Sequence, residues 1–264
     1  MPELTHLSLF SGIGGLDLAA EWAGFRTVGQ CEWADYPRAV LEKHWPGLPR
    51  WKDIRDLTGV DFREKTGIQY PTVVSGGFPC QPHSLAGKRL ASDDERDLWD
   101  ELFRVYCETG ARWLVGENVG GLLSSEDGRF FGRILRDLAK RGCHVWWYCF
   151  PAHAAGAPFW GERIAIVASA PGIGWKGVDV RPEIKSTIKY CGCLAEKKTR
   201  SELVRLHVER FKRDASGGSQ RNDDGISTGL DRLKCYGNAV VPQQFYPIFE
   251  AIARVEEMTW VNPE

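Results

Sequence analysis

A chain of 264 residues with 43% apolar content has room for one α/β domain and a small appendage, and two full-sized domains would be cramped. No stretch approaches membrane-spanning length, the opening Met1-Pro-Glu-Leu-Thr-His lacks the basic segment of a signal peptide, and eight scattered cysteines show no repeated disulfide spacing, so a cytoplasmic protein with free thiols is expected. The net charge of −1 says nothing of nucleic acid, but its distribution does: Pro171 to Cys235 holds 14 Lys and Arg against 9 Asp and Glu, a basic segment on an acidic body that suits a phosphate-bearing partner or, alternatively, a solvated loop.

In chain order, Leu7-Ser8-Leu9-Phe10 reads as a first strand and Ser11-Gly12-Ile13-Gly14-Gly15 as a tight turn. A helix follows, with Leu16, Ala19, Ala20 and Ala23 on one face and Gly24 as its stop. Thr27-Val28 opens a second strand that ends near Cys31-Glu32-Trp33. A strand, glycine turn, helix, strand and then an acidic residue is the order that holds nucleotide-type cofactors: glycines let the ligand approach the backbone, and the carboxylate accepts hydrogen bonds from ribose hydroxyls. The Gly-x-Gly-Gly spacing departs from the Gly-x-Gly-x-x-Gly of dinucleotide enzymes, which disfavours a nicotinamide oxidoreductase. Trp33 is suited to stacking on a purine, and Asp53-Ile54, at the end of a third strand, to capping its edge. Taken singly, these residues also read as a core aromatic and a helix cap.

Thr72-Val73-Val74 reads as a buried strand that stops at Gly76-Gly77, and Phe78-Pro79-Cys80-Gln81-Pro82 can be neither strand nor helix. A thiol locked between prolines at a strand end is presented to a cleft more readily than packed as a small hydrophobe. Leu85 to Arg96 is polar and reads as a mobile cover, with Lys88 and Arg89 as candidate phosphate contacts or ordinary solvated charges. Leu98-Trp99 and Leu102-Phe103 begin a helix, Trp113-Leu114-Val115 is a buried strand with Glu117 just beyond its end, and a further helix runs from Phe130 to Arg141 and ends at Gly142. Strands around Val145–Phe150 and Arg163–Ala168 are joined by Ala152–Gly161. Pro242 opens a last helix with Phe245, Ile248, Phe249 and Ile252 on one face and Pro247 in its second turn, where a kink is expected.

Phe10-Ser-Gly-Ile-Gly-Gly15, Glu32, Gly77-Phe-Pro-Cys-Gln-Pro82, Glu117-Asn118-Val119 and Tyr236-Gly-Asn-Ala-Val-Val-Pro-Gln243 resemble the ordered motifs of the cytosine-C5 DNA methyltransferase family. The resemblance implies a doubly wound, mostly parallel Rossmann-like sheet that binds S-adenosylmethionine, a smaller target-recognition domain, and double-stranded DNA from which the target base is extruded. It implies cofactor contacts at Phe10, Gly12, Ile13, Gly15, Glu32, Trp33, Asp53, Ile54, Pro79 and Leu98, with Asn238 and Ala239 closing over the methionine end. A monomer is expected, and a cognate restriction endonuclease is a candidate partner.

The residues suit that chemistry. C5 of cytosine is a poor nucleophile, and attack of the Cys80 thiolate on C6 converts the ring to an enamine able to take a methyl group. Negative charge then develops on the ring, and Glu117, with a pKa raised by burial, would supply a proton toward N3; a helix-start carboxylate is its other reading. Asn118 reads as a loop-fixing residue. The family's Gln-x-Arg-x-Arg element is here Phe159-Trp160-Gly161-Glu162-Arg163, which keeps only the last arginine; by resemblance Arg163 contacts the cytosine O2. An RNA cytosine methyltransferase, or a non-catalytic DNA-binding relative favoured by Gly161, stays open beside the DNA enzyme.

The catalytic domain is expected over residues 1–170 and 230–264 and the target-recognition region over 171–229. Within the latter, Cys191-Gly-Cys193 with His207 or Cys235 lacks a second matching pair, so no metal site is expected.

Overall fold

The computed structural model describes residues 3–79, 98–157, 160–173 and 239–261. Short runs, buried on both faces in the central strands and largely exposed or half-buried in the edge strand β6, form a seven-stranded sheet: β1 (Thr5–Leu9), β2 (Arg26–Cys31), β3 (Arg50–Trp51), β4 (Val73–Gly77), β5 (Trp113–Val119), β6 (His144–Pro151) and β7 (Glu162–Ser169). Their order is β3-β2-β1-β4-β5-β7-β6. The pairings from β3 to β5 are parallel, and β7 runs antiparallel between β5 and β6. The order reverses between β1 and β4, so the carboxyl ends of these strands flank the crevice where doubly wound sheets bind ligands.

Six helices lie in the described residues: α1 (Gly15–Trp22), α2 (Asp35–His44), α3 (Gly59–Thr66), α4 (Trp99–Thr109), α5 (Arg129–Lys140) and α6 (Pro242–Val261). Period-two alternation sends neighbouring side chains to opposite cores. Val74, Leu114, Ile164 and Ile166 join Phe62 of α3, Leu102 of α4 and Ile134 of α5 on one face. Val73, Trp113, Val115 and Ala165 join Leu16 and Ala19 of α1 and Phe245, Ile248, Phe249 and Ile252 of α6 on the other. Burying each of those four α6 side chains contributes roughly 1.5–3 kcal/mol. α6 is a single helix across Pro247.

A polar layer crosses the first strands. Burial pulls the His6 imidazole down to about 3, so it is neutral, and its ring nitrogens lie 3.1 Å from Thr27 Oγ1 and 2.7 Å from Ser75 Oγ. These contacts join β2, β1 and β4 below the crevice.

Three expectations are corrected. Gly76 and Gly77 do not stop a strand after Val74; they lie within β4, because both flanking strands continue beside them and pair Gly76 with Leu9 and Gly77 with Glu117. Glu117 lies within β5 rather than beyond its end, since pairing with β7 extends β5 to Val119. β3 has only two residues, so Asp53 and Ile54 fall in the turn after it. Among the described residues no helix is long and apolar enough to cross a membrane, and Cys31, Cys107, Cys143 and Cys149 are free thiols.

Candidate active site

After β1 the backbone enters left-handed conformations at Phe10 (φ 51°), Gly12 (φ 55°) and Gly14 (φ 89°) before α1 begins. Such a φ is strained for an aromatic residue, a feature that tends to cluster at ligand sites. Glu32, just past β2, spans the turn: its Oε2 accepts from Gly12 N and its Oε1 from Ala34 N, both at 2.8 Å. Among the described residues, a Cβ at Gly12 would meet nothing within 4 Å, which leaves open room in front of the turn. A Cβ at Gly15 would come within 2.5 Å of Val240 O, so the segment entering α6, with half-buried Ala239, closes the back of it.

Around that opening, Ile13 is half-buried, and Phe10 and Leu98 pack partly exposed on the same core cluster that holds Ile54 and Phe78. Trp33 is 64% exposed, which removes its reading as a core aromatic, and Lys52 Nζ lies 5.7 Å from its ring centroid. Asp53 is a cap: its side chain accepts from Arg55 N at 3.0 Å and opens the 3₁₀ turn Ile54–Asp56, while the Ile54 side chain is buried.

The second cluster lies at the carboxyl ends of β4 and β5. Register sets Glu117 opposite Gly77 on one side and Ala165 on the other, with Arg163 two residues along β7 from Ala165 and therefore on the same face. Arg163 Nε meets Glu117 Oε1 at 2.8 Å. A Cβ at Gly77 would come 2.6 Å from Glu117 Oε2, so only glycine leaves the carboxyl its place. Burial pushes the Glu117 carboxyl up to about 7, against the opposing pull of Arg163.

Asn118 Nδ2 donates to Phe78 O at 2.9 Å, and Phe78 is buried with its ring 5.4 Å from that of Trp99. Asn118 thus fixes the loop, as expected, and delivers the chain to exposed Pro79, the last described residue before Cys80. Gly161 stands where the family carries an arginine, and Arg163 itself supplies the cation beside Glu117. Cys80, Lys88, Arg89, Cys191, Cys193, His207, Cys235 and Asn238 lie outside the described residues.

Sequence reasoning missed the supports. Asp17 is buried beneath the glycine turn, where its carboxylate accepts from Ser8 Oγ and Gln30 Nε2, both at 2.8 Å, and Arg50 Nε donates to Gln30 Oε1 at 2.9 Å. Burial raises the Asp17 carboxyl to about 6. A signal was present, because Asp17 interrupts the apolar run Leu16 to Ala20. Gln244 Nε2 donates to Phe150 O and Gly161 O, both at 3.2 Å, and ties the start of α6 to the β6–β7 connection.

The order of strands, the glycine turn after β1 and the crevice between β1 and β4 define a doubly wound, Rossmann-like α/β protein. Residues 4–217 match the family model for C-5 cytosine-specific DNA methylase, and the chain belongs to that family. It is 32% identical to the Type II methyltransferase M.BsuFI of Bacillus subtilis over 65% of this chain and 41% of the relative. With the Type II methyltransferase M.PspPI of Psychrobacter sp. identity is 38%, over 53% of this chain and 33% of that one. The chain therefore spans less than half the length of these two curated relatives. Among solved structures, Entamoeba histolytica EhMeth superposes with a TM-score of 0.63 at 14% identity, covering 96% of this chain and 98% of that one. Spodoptera frugiperda DNMT2 gives 0.54 at 14% identity, with coverage of 97% and 98%. At such identity these two likenesses speak for the fold.

Proposed function

We propose that the chain transfers a methyl group to C5 of a cytosine turned out of duplex DNA. The observation that carries this reading is Glu117: a buried carboxyl lifted to about 7 and paired with Arg163 at 2.8 Å, beside the strand end that leads through Phe78 and Pro79 to Cys80. Cys80 is the nucleophile. Its thiolate forms a bond to C6 of the ring, and the displaced π electrons shift toward N3 and C5. Glu117 holds a proton toward N3, and Arg163 reaches the O2 side and balances the charge. A ring inside a stack offers no face to the thiol, so the base is extruded first.

S-adenosylmethionine, when bound, supplies an electrophilic methyl group. The described residues fit it: Gly12 leaves open room, Glu32 presents a carboxylate at the turn, and the exposed Trp33 ring is a platform for a purine. Phe10, Ile13, Gly15 and Pro79 border the same carboxyl edge, Asp53 and Ile54 take the purine end, Leu98 borders the cofactor from the core cluster that holds Ile54, and Asn238 and Ala239 take the methionine end. Residues 171–229, with their basic excess, form the target-recognition region. The protein works as a monomer in the cytoplasm, and a cognate restriction endonuclease is its candidate partner.

Bisulfite sequencing of plasmid DNA from expressing cells is expected to show protected cytosines in one sequence context. Cys80→Ala abolishes transfer and leaves S-adenosylmethionine affinity within a few fold. Wild-type turnover by Cys80→Ala would remove the covalent mechanism, and methylation of tRNA in place of duplex DNA would move the substrate to RNA.

A further inference from the structure

We infer that Arg104, in the middle of α4, is a positioning residue for the purine end of the cofactor, an inference that rests on the S-adenosylmethionine reading above. The residues assigned to that end and to the border beside it come from two separate pieces of chain. Asp53 and Ile54 belong to a 3₁₀ turn of three residues, and Leu98 is the residue that caps the start of α4. So short a turn has few hydrogen bonds of its own. Its position relative to α4 must be set from outside.

The Arg104 guanidinium does this. Nη2 donates to Ile54 O at 2.9 Å and Nη1 to Leu57 O at 3.0 Å, so one fork engages both ends of the turn. Two glutamates of the same helix hold the fork in place. Glu101 Oε2 accepts from Nε at 2.9 Å and from Nη2 at 2.7 Å, and Glu108 Oε2 accepts from Nη1 at 3.0 Å. Glu108 Oε2 also accepts from Gly59 N at 3.0 Å, which brings the first residue of α3 into the same assembly. Every donor-bearing nitrogen of the guanidinium is engaged, by the turn and by its own helix, and α3 joins through Glu108. A lysine ammonium has neither the planar fork nor the number of donors to replace it.

The side chain is 28% exposed, so its ion pairs are screened and contribute little to global stability. Its geometric role is larger: it fixes the spacing between the turn bearing Asp53 and Ile54 and the helix start bearing Leu98. Binding sites lose affinity when their walls are not held in the bound arrangement beforehand.

The test measures binding of S-adenosylmethionine and of adenosine, together with KM and kcat for methyl transfer, in wild type, Arg104→Met and Arg104→Lys. Glu256→Ala, which loosens α6 on the opposite face of the sheet, serves as a destabilised control, and all measurements are made well below the unfolding transitions. Arg104→Met is expected to weaken both ligands by roughly tenfold and raise KM to match, with kcat at saturation within about twofold. Arg104→Lys falls between wild type and Arg104→Met, and carries the test if the methionine variant does not fold. Unchanged affinity in both Arg104 variants overturns the inference, as does an equal loss in Glu256→Ala. A wild-type chain that binds adenosine but not S-adenosylmethionine, or neither, overturns the cofactor reading itself and this inference with it.

Discussion

The two ends of β5 each meet a buried carboxylate, and they treat it differently. At the amino end Glu256 of α6 is 5% exposed and well supplied with donors: Trp113 Nε1 at 2.7 Å and Arg112 Nε at 3.0 Å. At the carboxyl end Glu117 is 8% exposed, has Arg163 as its one ion-pair partner among the described residues, and has a glycine wall against its other oxygen. The carboxylate that joins two elements is surrounded by donors, whereas Glu117 is buried with its charge only partly compensated, and burial lifts it to about 7.

The largest expected effect lies at the carboxyl end. Glu117→Gln should lower kcat for methyl transfer by about 10²–10⁴-fold, the usual contribution of a positioned acid, and the folded chain should be no less stable near pH 8 because a buried charge has been removed. Steady-state kinetics and thermal melts of one preparation check both halves. A kcat within a few fold of wild type would make Glu117 a second structural carboxylate and dissolve the contrast.

A pH series sharpens it. The folded-state pKa of Glu117 is about 7 and the ordinary value is 4.5, so the folded chain holds this proton more tightly than the unfolded one. Its contribution to stability is full below about 4.5 and is lost as pH rises through about 7. Asp17, raised to about 6, has the same sign, so the quantity to measure is the wild-type stability slope minus that of Glu117→Gln. The variant is expected to be flatter between pH 5 and pH 7, by denaturant titration. Parallel slopes would show that Glu117 ionises normally.

The features legible in the sequence are those encoded locally. The glycine turn and α1, the stop of α5 at Gly142 and the buried face of α6 follow from periodicity and from left-handed glycines, and all three are found. The motif order named the family because short motifs with fixed chemistry survive in one dimension. The extent of β5 was not legible, because Glu117 is strand only by virtue of pairing with Ala165 and Gly77, far away in the chain. The supports around Arg104 and Glu256 were missed for the same reason, since their partners lie 50 and 144 positions away, whereas the Asp17 support was marked locally by a charge within an apolar run. Asp53 read two ways, and its capping bond to Arg55 N is the local one of the two.

At the amino end the expected effects are on stability. Glu256→Ala removes the carboxylate that accepts from Trp113 Nε1 at 2.7 Å and opens a small cavity, at a cost of about 2 kcal/mol, which lowers Tm by about 4–8 °C. Transfer per folded molecule is expected to stay within about twofold of wild type, since no group at the crevice is touched. A large loss of kcat in this variant would mean that α6 transmits its seating to the glycine turn through Val240.

The smallest effect is expected for Arg112→Ala. Arg112 is 44% exposed at its side chain, and a screened pair of that kind contributes about 0.5–1 kcal/mol. Trp113 Nε1 remains on Glu256 when the arginine is gone, so the carboxylate keeps its buried donor and α6 keeps its seat. Melting of Arg112→Ala against Glu256→Ala therefore separates a neutral N–H bond from a charge pair as the anchor. If Arg112→Ala destabilises as much as Glu256→Ala, the anchor is the charge pair; both ends of β5 then rely on one arginine each, and the raised pKa of Glu117 has to be assigned to burial alone rather than to a shortage of donors.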